Sequence, residues 1–264
     1  MCGIAGYSLS VESRVQRTLA AQALLAGIAE RGADATGYAW AAASGPIGVH
    51  KQLSGASALL DQLCVPDDAR SALIHVRDYT KGHPTIEANN HPIRHGSIVG
   101  IHNGVIANDE ELFAEHGFER AAPEMTVDSE AIFALMERSG GRAQTLERLV
   151  GSMAAAWLDA RYPGMLFVAR GICRPLWLGE GKRETYFAST RETLELLEDT
   201  IRTTLRKREF GEGGFVALLN GRVVARERFR PDGSFVEEKP LPAVRAPHER
   251  VRSLKQLAVL ASLG

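Results

Sequence analysis

Residues 1–7 read Met1-Cys2-Gly3-Ile4-Ala5-Gly6-Tyr7. The run 2–8 predicts a short buried strand, and Gly3 and Gly6 let another backbone approach closely. Removing Met1 would make Cys2 the terminal residue, with a thiol and an α-amine on the same carbon. The ordinary pKa of such an amine is about 7.7–8.0 and of the thiol about 8.5. The amine can then take the thiol proton near neutral pH, directly or through a water, which makes the sulfur a nucleophile with its own base. A cysteine at position 2 is by itself more often inert, so the reading turns on its surroundings.

The chain has 264 residues, 45% hydrophobic and 24% charged, with a net charge of −1. This is a globular composition with a full core; it excludes disorder, a collagen-like chain and a small disulfide scaffold. The charge balance gives nucleic acid or an anionic membrane nothing to attract. No apolar run approaches the ~18 residues of a spanning helix. The first residues carry no basic stretch, so no secretory signal is expected. The three cysteines, Cys2, Cys64 and Cys173, show no C-x-x-C spacing, which argues against a disulfide framework and a thiolate zinc site. A reducing, cytoplasmic setting is expected. Cys64 and Cys173 read as ordinary or inert thiols.

Periodicity predicts a helix over 12–30 through Val15, Leu19, Ala23 and Ala26, a hairpin of 36–43 and 47–53, and strands at 71–77 and 97–102. A loop rich in Gly, Pro, His and Asn lies between those two strands. Asn108 with Glu111, and Ser189 with Glu192, have capping-box spacing for helices that follow them, the second spanning 191–207. A further helix is expected over 128–138, and strands at 153–159, 165–170, 175–179 and 184–189. Asn220-Gly221 marks a hairpin between 214–220 and 222–229. Pro231, Pro240, Pro242 and Pro247 predict a surface strap over 231–247. A last helix over 248–262 should bury Val251, Leu254, Ala258 and Ala261. Strands and helices come in blocks, which favours stacked sheets between helix layers over a doubly wound parallel sheet. No glycine-rich nucleotide motif follows a strand.

Several clusters invite chemistry. His83, His91, His95 and His102 suggest a metal, but Pro84 and Pro92 break any helix and no carboxylate spacing accompanies them; no metal is expected. Arg202, Arg206, Lys207 and Arg208 read as a solvated helix end. Arg245, Arg250, Arg252 and Lys255 read as a solvated face, with a docking helix as the alternative.

The order of the remaining blocks is more specific. Cys2-Gly3-Ile4-Ala5-Gly6 is followed by Arg31-Gly32-Ala33-Asp34-Ala35-Thr36-Gly37, then His75-Val76-Arg77-Asp78-Tyr79-Thr80-Lys81-Gly82, Asn90-His91-Pro92, His102-Asn103-Gly104 and Asp128-Ser129-Glu130. In this order and spacing the chain resembles the class II glutamine amidotransferases, the glutaminase domains built on the N-terminal-nucleophile hydrolase fold. The matching blocks run from Cys2 to about Glu130, and the segment near 187–191 fits more loosely. The resemblance implies an α+β, four-layer αββα sandwich of two mostly antiparallel sheets. It places the glutaminase domain at 2–230, with the strap and final helix of 231–264 packed on it.

The same resemblance implies roles. Cys2 attacks the side-chain carbonyl of glutamine, and Asn103 and the backbone N–H of Gly104 stabilise the oxyanion. Arg77 clamps the α-carboxylate with its planar fork, and Asp128 pairs with the α-ammonium. Arg31 orders the nucleophile, Thr80 and Gly82 belong to the substrate loop, and no cofactor is needed. Each residue also has a plainer reading. Asn103-Gly104 reads as a turn, Arg77 as a strand-end charge and Asp128 as a helix N-cap. Arg31 with Asp34 reads as an ion pair, and His91 as structural rather than a general base.

Two departures matter. The position after Arg77 is usually aromatic in the phosphosugar and ribosyl branches, and here it is Asp78. After the glutaminase domain fewer than about fifty residues remain, too few for a synthase domain. The expected activity is therefore ammonia release from glutamine, with a separate synthase subunit as the possible recipient. The alternatives are an amidase for another γ-glutamyl amide and a non-catalytic binding module that keeps Met1.

Overall fold

The computed structural model describes residues 1–237 and 242–263. The stretch 238–241, with Pro240 of the expected strap, and Gly264 lie outside the described residues. In chain order the strands are β1 (Gly3–Leu9), β2 (Ala35–Ala42), β3 (Gly48–Gln52), β4 (Ala69–Arg77), β5 (Ile93–His95), β6 (Ile98–Ile106), β7 (Gly151–Asp159), β8 (Met165–Arg170), β9 (Trp177–Glu180), β10 (Glu184–Ala188), β11 (Arg206–Glu209), β12 (Gly214–Leu219) and β13 (Arg222–Arg228). The helices are α1 (Arg17–Ile28), α2 (Ala56–Leu59), α3 (Asp109–His116), α4 (Glu130–Ser139), α5 (Arg191–Ile201) and α6 (Pro247–Leu263).

One sheet runs β11-β9-β10-β1-β4-β2-β3 and the other β13-β12-β8-β7-β6-β5. The strand pairs within both are antiparallel. Three buried clusters define the layers. Ala5, Tyr7 and Leu9 of β1 pack with Leu24, Leu25 and Ile28 of α1 and Leu194 of α5. Ile98 and Ile106 of β6 pack with Ile132, Phe133 and Met136 of α4. Ile4 of β1 meets Val99 and Ile101 of β6 and Ala154 and Ala156 of β7 between the sheets. Alternate residues of a strand point to opposite faces. Even positions of β1 and odd positions of β6 therefore face each other across the sandwich, the expected αββα arrangement. Cys2 and Asn103 continue those two inward-facing series.

Local expectations fail where remote partners intervene. The first helix starts at Arg17, because Ser13 Oγ accepts the Val15 N–H (3.3 Å) and donates to Glu184 (2.6 Å), a local turn that competes with the helix. Asn108 caps nothing with its side chain: it donates to Arg148 O (2.9 Å) and accepts from Val150 N–H (3.0 Å). Thr190, not Ser189, caps α5, through the Thr193 N–H at 3.3 Å; the Ser189 hydroxyl instead accepts the Ile4 N–H at 2.9 Å. The helix expected to reach 207 ends at Ile201, and Arg206–Glu209 is an edge strand whose cations meet Glu180 and Glu198. In α6 the buried residues are Glu249, Ser253 and Leu257, while Val251 and Ala258 are exposed. Glu249 accepts from the Ser57 N–H (2.8 Å) and hydroxyl (3.1 Å), which rotates the helix away from the face expected from its apolar residues.

Candidate active site

Cys2 sits immediately before β1, at the open end of the sandwich. Gly3 makes this possible: a Cβ there would fall 2.8 Å from Ile28 Cβ and 2.9 Å from Val76 Cγ2. The Asp78 N–H points at the Cys2 sulfur (3.4 Å), and the thiol points at Asp78 O (3.4 Å). Burial pushes the thiol pKa up, against the pull of the Asp78 backbone, the chain's terminal ammonium and Arg77. That ammonium, on Met1, is held by Asp78 Oδ2 at 2.5 Å and by Pro242 O at 3.3 Å.

The Arg31-Gly32-Ala33-Asp34 turn braces Cys2 from behind. Arg31 is buried and its Nε donates to Cys2 O at 2.9 Å. Asp34 N donates to Arg77 O (3.0 Å), and its carboxylate accepts the Tyr79 N–H (2.9 Å). Gly32 lets the turn lie against β4, since a Cβ there would fall 2.3 Å from Arg77 O. In place of the alternative reading of Arg31 and Asp34 as an ion pair, the two make separate contacts, Arg31 to Cys2 and Asp34 to Arg77 and Tyr79.

Asn103 and Gly104 are consecutive in β6 and pair with Ala154 and Met153 of β7. They form no turn. Asn103 is buried, and its amide nitrogen has no hydrogen-bond partner. A buried donor left unpaired costs about 1–3 kcal/mol, so its retention needs a reason outside folding. Gly104 has φ +148°, and a Cβ there would fall 1.9 Å from Ser152 O. Only glycine fits.

Cys2, Arg77, Asp78, Thr80, Gly104 and Asp128 line one narrow cleft with about 10 Å³ of free space; Thr80 is exposed at its rim. Arg31 and Asn103 stand behind its walls. Gly82, at φ +78°, closes the loop against Asn89, whose Cγ would lie 2.9 Å from an added Cβ. Arg77 is buried, and much of its fork is already engaged: Nη1 donates to Asn90 Oδ1 (2.5 Å), and Nη2 donates to Lys81 O (2.9 Å) and to Gly82 O. Asp128 is not the N-cap of α4; that position is Ser129, which makes no side-chain cap bond. The Asp128 carboxylate instead accepts the Ile106 N–H at 2.6 Å, and burial pushes its pKa up to about 6.

The histidines do not converge on a metal. His83 bonds Thr85 and His95 bonds Glu130. Among the described residues no group of three or more His, Cys, Asp or Glu is arranged to hold an ion. His75 bonds His102 O (3.1 Å) and stacks on His91 with ring centroids 4.2 Å apart; His102 Nδ1 meets Ser129 Oγ at 2.8 Å. Burial pushes His75 and His102 down to about 3 and His91 well below its ordinary value, so all three are neutral at pH 7. His91 also lines the cleft, with both ring nitrogens buried and unpartnered. No helix among the described residues is long and apolar enough to cross a membrane.

Three residues with no role assigned from the sequence do positioning work. Asn90 holds Arg77. Asn89 Oδ1 accepts the N–H groups of Thr126 and Val127 (2.8 and 3.0 Å) and so fixes the approach to Asp128. Ser129 fixes His102. The pair Asn89-Asn90 ahead of His91-Pro92 was the available signal, since buried amides at a loop end usually bind backbone.

Residues 69–196 match the family model described as a glutamine amidotransferase domain. The chain is 32% identical to the glutamine–fructose-6-phosphate aminotransferase (isomerizing) of Shigella flexneri over 237 residues, which is 85% of this chain and 36% of that protein. It is 30% identical to the corresponding Bacillus thuringiensis protein over 266 residues, 92% of this chain and 42% of that one. Well under half of each relative's length is therefore spanned. Among solved structures, the Bacillus subtilis glutamine phosphoribosylpyrophosphate amidotransferase in complex with ADP and GMP superposes with a TM-score of 0.65 at 20% identity. The superposition covers 86% of this chain and 49% of that one, a likeness of fold.

Proposed function

The chain belongs to the class II glutamine amidotransferases, enzymes of the N-terminal-nucleophile fold, and from that premise we propose that it hydrolyses the side-chain amide of glutamine at Cys2. The reading is carried by one arrangement: Cys2 and Gly104 line the same cleft, and the unpartnered amide of Asn103 adjoins Gly104 on the inward-facing side of β6.

The chemistry begins once Met1 is removed. The Cys2 α-amine takes the thiol proton, and the sulfur attacks the amide carbon. The negative charge that develops on the carbonyl oxygen meets Asn103 Nδ2 and the Gly104 N–H; one such donor is commonly worth about 2.7–4 kcal/mol of barrier. The α-ammonium returns its proton to the leaving nitrogen, ammonia departs and a γ-glutamyl thioester remains. Water, deprotonated by the same amine, releases glutamate and regenerates the thiol. Arg77 and Asp128 select a free amino-acid end by charge. Because Arg77 Nη1 is engaged by Asn90 and Nη2 by Lys81 O and Gly82 O, and each two-donor edge of the guanidinium includes Nη2, the loop of Thr80 and Gly82 shifts as substrate enters. Arg31 holds the Cys2 carbonyl throughout. Residues 2–230 form the glutaminase domain, with the C-terminal segment packed on it.

Asp78 supports a second reading. A carboxylate beside the nucleophile, where related branches usually carry an aromatic, suits a γ-glutamyl amide whose leaving amine is cationic. One assay separates the readings: glutamate release from glutamine and from a panel of γ-glutamyl amides, using chain shown by intact mass to lack Met1. Turnover of glutamine that disappears in Cys2→Ala supports the first. Turnover confined to the panel supports the second, and persistence of either activity in Cys2→Ala overturns both.

A further inference from the structure

The carboxylate of Asp78 is buried, and no step above uses it. Its two oxygens are divided between the ends of the chain. Oδ2 holds the terminal ammonium of Met1, one peptide from the nucleophile, and Oδ1 accepts from Arg245 Nε at 3.2 Å. The Arg245 side chain is about half exposed, but its backbone is anchored. Its N–H and that of Ala246 both donate to Glu30 O (2.8 and 2.9 Å), and Arg250 pairs with Glu30 at 3.1 Å. Glu30 is the residue before Arg31, which holds Cys2 O. The C-terminal segment is thereby pinned to the turn that braces the nucleophile, and its guanidinium is delivered to Asp78.

Removing Met1 deletes the cation on Oδ2 and creates a new one on the adjacent residue. We propose that in the chain beginning at Cys2 the Asp78 carboxylate holds the Cys2 α-ammonium, and that Arg245 fixes and partly neutralises that carboxylate. Asp78 is then a positioning residue: it orients the amine beside the sulfur and sets its basicity. This rests on the proposed role of Cys2. The other groups facing the pair are Arg31 from the turn after α1, Arg77 at the end of β4, Tyr79 and Lys81 of the following loop, Asp34 across Tyr79, Asp128, and the neutral rings of His91 and His102.

The signs follow from charge. A carboxylate beside an ammonium favours the protonated amine, and a guanidinium on that carboxylate weakens the effect. Asp78→Asn should move the acidic limb of kcat/KM against pH to lower pH, by roughly one unit. Arg245→Gln should move it to higher pH. A merely structural role would not give opposite displacements. The probe independent of turnover is NMR titration of 13C-cysteine-labelled chain, with Met1 loss verified by mass: the Cys2 resonance should show the same two opposite shifts with no substrate present. Asp78→Glu should restore the wild-type limb. Unchanged limbs, or shifts of one sign in both variants, overturn the proposal. If the amine titrates as expected while Cys2→Ala still turns over substrate, the assignment of Asp78 stands and the role of Cys2 fails.

Discussion

Arg31 Nε donates to the carbonyl oxygen of Cys2 at 2.9 Å from a position almost wholly removed from solvent. The bond holds Cys2 by its backbone carbonyl and leaves its side chain unconstrained by the guanidinium. The Arg31 Nη2 atom is buried without a partner, so the guanidinium is kept there at some cost to folding.

Arg31→Lys should therefore impair catalysis more than folding. A lysine supplies one charge but no rigid fork to fix the direction of the bond. We expect kcat to fall by roughly tenfold or more, since misplacing a reacting group by about 1 Å can cost 10²-fold. The loss in unfolding free energy should stay near 1–2 kcal/mol. Steady-state kinetics and urea unfolding of the same variant check this; equal losses in both would make Arg31 a folding residue.

The two residues of the cradle should separate in the opposite sense. Asn103→Ala removes a donor that has no partner to lose, so stability should change by less than about 1 kcal/mol while kcat falls about 10²–10³-fold. Gly104→Ala places a Cβ 1.9 Å from Ser152 O at φ +148°. It should destabilise the chain by more than about 3 kcal/mol. Thermal unfolding beside kcat distinguishes the pair, and a stable Gly104→Ala would refute the close packing of β6 on β7.

Local chemistry was legible in the sequence wherever the deciding partner lay nearby. Asn220-Gly221 has φ values of +50° and +74° and joins β12 to β13 as its turn signal requires. The ordered blocks from Cys2 to Asp128 gave the fold, because the cleft gathers them in space. What could not be read was competition from far along the chain. Asn108 has an N-cap's identity, but residues 148 and 150 claim its side chain. Arg206, Lys207 and Arg208 suit a helix end, yet pairing with β9 and the charges of Glu180 and Glu198 make them a strand. At the site, residue types suggested a free Arg77 fork, and only the fold shows its engagement with Asn90 and the loop carbonyls.

Asp128 predicts a trade between binding and stability. Its carboxyl is pushed from 3.8 to about 6 by burial. Between those values the folded chain binds more protons than the unfolded one, so this group's contribution to stability falls as pH rises, and the full penalty is present above pH 6. Asp128→Asn keeps an acceptor for the Ile106 N–H and removes the buried charge. At pH 8 it should unfold at higher urea than wild type, with a gain of at most about 3 kcal/mol. Its KM for glutamine should rise at least tenfold, since the substrate ammonium loses its partner. In wild type, KM should climb as pH drops below about 6. A variant less stable at pH 8, or with unchanged KM, contradicts the assignment.

The buried histidines pull the other way and should dominate acid stability. His75 and His102 are pushed from 6.5 down to about 3, and His91 well below its ordinary value, because burial disfavours their charged forms. Below pH 6.5 the unfolded chain takes up protons that the folded chain refuses, so stability is lost as pH falls through that window. Asp128 gains stability over a narrower range, as one group against three. The urea midpoint should therefore decline steadily from pH 7 to pH 4. His75 is the ring to remove for a test, because it lines no part of the cleft: in His75→Asn the decline should be shallower even if the midpoint at pH 7 is lower, since one proton-binding site has left the unfolded chain. A slope as steep as wild type would mean that the buried rings are not the groups driving acid unfolding.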